Sequence, residues 1–134
     1  KNWTSVGIRI NFEVNSWQVI KKNPLIGIGT GDFPNEYKKI NQINSPWLPN
    51  TTNPHNMYIL VLTQIGLLGL VSMLAIFYYQ IKLSFNSQNK LIRDAGLTMP
   101  ILFLVLMFSD SYLLGHFTTL MYVFFSSFLY KKFE

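Results

Sequence analysis

Arg9 and His55 are the two residues of this chain best placed to do chemistry. His55 is the only ionisable side chain, tyrosines aside, between Ile40 and Ile81, and it opens a long apolar run. Its imidazole therefore belongs at a membrane interface, where a group titrating near neutrality meets both water and lipid head groups. The plainer reading of a lone histidine at a helix start is a cap or an interfacial residue. Arg9 and the pairs Lys21-Lys22 and Lys38-Lys39 can bind phosphate, although the lysine pairs are as well explained by contact with anionic lipid heads. Asp110 and His116 stand among apolar residues. An ionisable group in a membrane is a site candidate by default, and the alternative for each is a partner inside a helical bundle.

The string Pro24-Leu-Ile-Gly27-Ile-Gly29-Thr-Gly31-Asp32-Phe33 invites a nucleotide reading. It lacks the GxGxxG spacing, a long preceding strand and the Lys-Ser/Thr of a P-loop, so a tight turn with unusual backbone angles explains it better. Consecutive amides in such a turn, at Gly29 and Gly31, can still hold an anion. The chain has no GxSxG, no HExxH and no cluster of ligands at metal spacing. It lacks cysteine, which removes disulfides and thiolate sites. The net charge of +5 does not point to nucleic acid, because the basic residues fall in pairs beside apolar runs and not in a stripe among aromatics. Asn2-Trp-Thr4 and Asn50-Thr-Thr52 match the glycosylation acceptor pattern, a match that is common by chance.

The elements that must position these groups follow from hydrophobic patterning. Ile10, Val14 and Trp17 recur at helical spacing beside a polar side of Glu13, Gln18, Lys21 and Lys22. Residues 9–22 thus read as an amphipathic helix that lies on a membrane surface or packs under a loop, ended by Asn23-Pro24. Asp32 can cap a second helix running to about Ile43, with Pro34 in its first turn. Residues 44–55 are too rich in proline and asparagine for regular structure. Met57 to Ile81 carries no charge over a length that crosses about 30 Å of hydrocarbon.

The expected fold is an all-α integral membrane protein. An extracytoplasmic loop region, 1–55, precedes membrane helices at about 56–81, 96–109 and 112–130, with a connecting loop over 83–94 and Asp110 near the tip of the last hairpin. Pro100 is expected in the first turn of its helix or at a kink. Gly66 and Gly69 are expected to let a neighbouring helix approach closely. Lys82, Lys90, Arg93, Lys131 and Lys132 place the connecting loop and the end of the chain inside, although the outward segment carries six basic residues of its own. The absence of an initiator Met or a signal sequence leads one to expect a piece of a longer protein.

Three features together resemble the O-antigen ligase and polymerase superfamily. Arg9 lies fifteen residues before the Pro-Leu-x-Gly-x-Gly-x-Gly turn, a loop ends in Pro54-His55-Asn56, and a glycine pair follows deep in the next helix. The most specific piece is His-Asn-x9-Gly-x-x-Gly, met as His55-Asn56, nine residues, and Gly66-Leu-Leu-Gly69. Ligases often continue with threonine, where this chain has Leu70, which leaves ligase and polymerase both open.

The resemblance implies a bacterial inner-membrane glycosyltransferase whose catalytic loop faces the periplasm. Such an enzyme moves a glycan from an undecaprenyl-diphosphate carrier to an acceptor hydroxyl with inversion, without metal, nucleotide or other cofactor. It implies Arg9 as diphosphate anchor or electrostatic catalyst and His55 as base or phosphate ligand. Asn56, Gly29, Gly31 and Lys38 are implied as further substrate contacts. The acceptor would be a lipid A-core sugar, a growing repeat unit or a protein hydroxyl. Membrane lipids are the other expected partners, nucleic acid is not, and upstream helices would be needed for activity. Outside this family, the readings are a transporter segment, which predicts pseudo-repeats and helices broken at mid-membrane, neither of them visible in the sequence, or a regulator that binds the lipid carrier without turning it over.

Overall fold

A computed structural model describes residues 4–131; Lys1, the Asn2 acceptor pattern and Lys132 lie outside the described residues. The fold is all-helical, with no strand among the described residues. Its elements are α1 (Ser5–Ile20), α2 (Phe33–Asn44), α3 (Met57–Phe85), α4 (Lys90–Leu106), a 3-10 turn (Tyr112–Leu114) and α5 (His116–Leu129). Side-chain oxygens start three of them. Thr4 accepts from the Gly7 amide, Asn56 from Tyr58 and Ile59, and Asn89 from Leu91 and Ile92. Asp32 occupies the N-cap position of α2 as its type suggests, yet makes no side-chain cap bond there.

α1 packs on the face opposite to the one its apolar spacing picks out. Ile10, Val14 and Trp17 are 55, 56 and 51 % exposed, whereas Phe12, Asn15, Ser16, Val19 and Ile20 are buried. The buried face works because its polar groups are paired. Asn15 Nδ2 donates to Asn41 Oδ1 at 3.2 Å, Asn41 Nδ2 donates to the Leu48 carbonyl at 3.0 Å, and the Ser16 hydroxyl donates to the Phe12 carbonyl at 2.6 Å. Phe12, Phe33, Tyr37 and Leu60 form the apolar part of this core and tie α1 and α2 to the start of α3. Burial raises the Tyr37 phenol above its usual range, against a smaller opposing effect of Asn15. Lys22 and Lys39 both pair with Glu36, and hydrogen bonds from Lys22 and then Lys39 lower its carboxyl to about 2.

α3 is apolar and long enough to cross a membrane, but it is not one continuous helix. At Gly66 the backbone turns to φ 70° and ψ −162°, a conformation essentially reserved for glycine. The break frees the carbonyls of Thr63 and Gln64 and the amides of Leu67 and Leu68, and the glycine-rich turn takes all four. Ile28 N–H donates to Thr63 O at 2.9 Å and Gly29 N–H to Gln64 O at 3.0 Å. In return Leu67 N–H donates to Pro24 O at 2.9 Å and Leu68 N–H to Leu25 O at 3.2 Å. A side chain on Gly27 would run into the backbone of Gln64 and Ile65, and one on Gly66 into that of Leu25 and Ile26. Gly66 therefore admits a loop where a neighbouring helix was expected. Gly69 makes room for Ile65 of its own helix across the bend. The straight part beyond the break, Leu67 to Phe85, spans about 28 Å, close to the thickness of a bilayer core.

α4 begins well before the expected residue 96, and the connecting loop shrinks to 86–89. Its first turns are charged, with Lys90 and Asp94 paired at 2.8 Å, which made them read as loop. Pro100 accordingly falls inside the helix. Proline has no N–H to give the Gly96 carbonyl, and the Tyr130 hydroxyl donates to that carbonyl instead, at 2.8 Å. α3 extends to Phe85, and the last apolar run opens with the 3-10 turn before α5 starts. Phe77, Phe103, Met107 and Tyr122 form the core shared by α3, α4 and α5.

Candidate active site

The loop before α3 and the turn after α4 meet at the end of the bundle opposite the 86–89 loop. Met57 N–H donates to the Met107 carbonyl at 2.9 Å and joins the two segments. α1 then lays one face across the junction, because Arg9, Phe12 and Glu13 are spaced i, i+3, i+4. Arg9 Nη1 donates to the Ser109 carbonyl at 3.2 Å, and Glu13 Oε1 accepts from Asn56 Nδ2 at 3.1 Å. The Phe12 ring stacks on the His55 imidazole, with centroids 6.2 Å apart and planes 20° from parallel.

His55 sits at the centre with a left-handed backbone, φ 57°, an uncommon conformation for a residue with a side chain. Its own N–H donates to Asn53 Oδ1 at 2.9 Å, which stabilises that turn. On the side chain, Nδ1 lies 3.2 Å from Asp110 Oδ1. With Asp110 ionised, Nδ1 carries the proton and donates, which in the neutral ring leaves the lone pair on Nε2. Asp110 is itself fixed by the Ser111 amide at 2.7 Å and by Asn53 Nδ2 at 3.4 Å, while the Ser111 hydroxyl donates to Asn53 Oδ1 at 2.7 Å. Burial raises the Asp110 carboxyl, but the Ser111 amide, His55 and the charge of Arg9 outweigh it and hold it below the usual range. The His55 and Asp110 side chains are 31 and 34 % exposed, so the pair is held yet reachable.

The residues singled out by type and spacing fare differently. Arg9 and His55 come together around the Ser109–Asp110 turn, although 46 residues separate them in sequence. The cap of α3 is Asn56, not His55, and Asn56 is committed at both ends of its amide, to α3 and to Glu13. The Gly29 amide is committed to Gln64. Gly31 and Lys38 are exposed, and no hydrogen bond or ion pair joins them to the Arg9–His55 group among the described residues. His116 heads α5 and is exposed. Asp110 stood out only as an ionisable group among apolar residues, Glu13 only as part of the polar side of its helix, and Asn53 not at all. Glu13 acts through Asn56, far along the chain, and Asn53 acts both locally, accepting from the His55 amide, and across the fold with Asp110 and Ser111.

A family model described as O-antigen ligase matches residues 1–74. The match covers more than half of the chain, and the chain belongs to the O-antigen ligase family. It takes in Arg9, the glycine turn, His55-Asn56 and both Gly66 and Gly69, and ends inside α3, so Asp110 lies beyond it. No curated protein and no solved structure matches the chain. The family is enzymatic, membrane-associated and bacterial, and it works on lipid-linked glycans and their acceptors.

Proposed function

We propose that this chain forms the catalytic end of an enzyme of the bacterial cytoplasmic membrane. The enzyme transfers a glycan from an undecaprenyl-diphosphate carrier to an acceptor hydroxyl on the periplasmic face, with O-antigen ligation the leading activity. The observation that carries this reading is the pairing of His55 with Asp110 beside an arginine pinned to the same turn. The acceptor oxygen attacks the anomeric carbon and passes its proton to His55 Nε2. The bond from that carbon to the diphosphate oxygen breaks, and its electron pair leaves with the diphosphate. Arg9 is exposed and anchored through one N–H, so the rest of its fork can meet two phosphate oxygens as their charge grows. Asp110 is a positioning residue, fixing the tautomer of His55 and stabilising the imidazolium.

Several surfaces support a membrane setting. α3 is apolar, most of its side chains are not buried, and the α1 stripe of Ile10, Val14 and Trp17 is exposed. α4 and α5 complete the proposed three spans. Lys82, Lys90, Arg93 and Lys131 lie toward the end of the bundle opposite His55, which favours the cytoplasm for that end. The test is complementation of surface glycan in a strain lacking the full-length enzyme. His55→Ala is expected to lose about two to four orders of magnitude of rate, as for a lost general base. Arg9→Lys should fail nearly as badly as Arg9→Ala, since an ammonium cannot copy the fork, while Lys21→Ala and Lys38→Ala should complement. An active Arg9→Ala or His55→Ala enzyme at normal membrane abundance overturns the site.

A further inference from the structure

Next to the His55–Asp110 pair, the turn between α4 and α5 leaves an open cleft of about 330 Å³. Its walls include Asn53, Asp110, Ser111, Tyr112 and Thr118. Two of these, Asn53 and Asp110, also hold His55, so the cleft opens directly beside the proposed base. No lysine or arginine lines it, and its one charged wall is the Asp110 carboxylate, held, against the effect of burial, below the usual carboxylate range by the Ser111 amide and His55. A diphosphate would meet that carboxylate with no basic side chain among the walls, and the arginine suited to that group lies outside the cleft. A neutral polyol meets the reverse situation. Carboxylate, amide and hydroxyl groups are hydrogen-bond partners for sugar hydroxyls, and the half-buried ring of Tyr112 offers an apolar face to the C–H side of a pyranose.

We propose that this cleft is a subsite for a neutral sugar ring next to the reacting centre, with Tyr112 as its platform and the diphosphate confined to the Arg9 side. The proposal rests on the reading of Arg9 and His55 as a glycan-transfer site. It divides that site by charge into a phosphate half and a sugar half.

The test uses the full-length enzyme in its native membrane, with a benzophenone amino acid introduced as Tyr112→p-benzoylphenylalanine. Leu114→p-benzoylphenylalanine, on the same wall, is a second variant should the first fail to accumulate. Val6→p-benzoylphenylalanine, one turn before Arg9, marks the phosphate half, and Trp47→p-benzoylphenylalanine is the distant control. After irradiation and denaturation, periodate oxidation followed by hydrazide coupling reports carbohydrate on the polypeptide. Adducts are expected at 112 or 114 and not at 47. Repeating the experiment in cells blocked in loading the polyprenyl carrier identifies the source: an adduct that vanishes belongs to the donor glycan, and one that persists belongs to the acceptor. An adduct at Val6 with none at 112 or 114 sinks the subsite and leaves the transfer site standing. No adduct at any position sinks both. In assays with the purified pair of substrates, Tyr112→Ala should raise KM about tenfold for whichever substrate labels, a change of about 1.4 kcal/mol. Tyr112→Phe, which keeps the ring, should rescue most of that rise, and an unchanged KM in Tyr112→Ala overturns the platform.

Discussion

One methyl group at Gly66 should separate a loop from a helix. In Gly66→Ala the new Cβ has no place while φ is 70° and ψ is −162°, a conformation costing a residue with a side chain about 1–3 kcal/mol. The same Cβ collides with the backbone of Leu25 and Ile26, which has no flexible end to swing away. Relief comes by closing α3 into a regular helix and expelling the glycine turn. That exchange forfeits four backbone hydrogen bonds and recovers two inside the helix, a net loss of about 2 kcal/mol at roughly 1 kcal/mol each. The strain is relieved by that exchange, so the expected cost is about 2 kcal/mol where water meets the four turn groups left unpaired, rising to about 4 where they stay buried. Gly27→Ala strikes the other side of the same contact, at φ 73°, and should cost a similar amount. Gly31→Ala isolates the backbone strain, since φ is 91° but nothing lies within 4 Å of the added carbon, and should cost about 1–2 kcal/mol. Thermal unfolding of the detergent-purified full-length protein, followed by tryptophan fluorescence, reads these as shifts of about 2–4 °C per kcal/mol. The double variant Gly27→Ala/Gly66→Ala should fall well short of additivity, because either change alone already breaks the contact. Equal shifts for Gly66→Ala and Gly31→Ala, or strict additivity in the double variant, would refute the account of the break.

Other consequences can be checked in the same background. Asp110→Asn keeps the shape of the turn but removes the charge that sets the His55 tautomer, so activity should fall steeply while membrane abundance holds, measured by surface-glycan complementation. Glu36 has its folded-state carboxyl lowered from 4.5 to about 2, so its pairing with Lys22 and Lys39 stabilises the α1–α2 unit fully above pH 4.5 and loses that effect as pH falls toward 2. Amide exchange in α2 should accelerate over that window, and Glu36→Gln should flatten the dependence. For topology, Asn50→Cys should label with a membrane-impermeant thiol reagent in whole cells and Gln88→Cys should not, in a chain that has no cysteine of its own. The reverse pattern would place His55 in the cytoplasm and end the lipid-carrier reading.

Much of this architecture was legible because single residues carry it. Pro24, Asp32-Pro34 and the Pro-Asn-rich stretch before His55 fix where helices stop and start, and the apolar length of α3 announces itself. The misreadings share a cause: local pattern does not say what an element faces. Ile10, Val14 and Trp17 form the better apolar stripe, but the face that packs within this chain is the one whose Asn15 finds Tyr37 and Asn41. Gly66 and Gly69 read as a helix-contact pair because the spacing fits one, whereas the true partner of Gly66 is a turn 40 residues earlier. The charged residues Lys90 to Asp94 resembled a loop until Asn89 was seen to cap them. At the site, Arg9 and His55 stood out by type and Asn53 lies only two residues from His55, but Asp110 acts across the fold, and only the assembled turn brings it beside the imidazole.

The exchange of main-chain bonds at Gly66 also bears on which residues the shape depends on. In a regular helix Thr63 and Gln64 would have the Leu67 and Leu68 amides as partners, and here the glycine turn substitutes its own amides and carbonyls for both pairs. The bend thus belongs to two segments at once, since α3 supplies the freed groups and residues 24–29 supply their partners. Side chains at 25, 26 and 28 can therefore drift over evolutionary time while the shape persists, provided the carbonyls and amides of 24, 25, 28 and 29 stay in place and Gly27 and Gly66 stay bare.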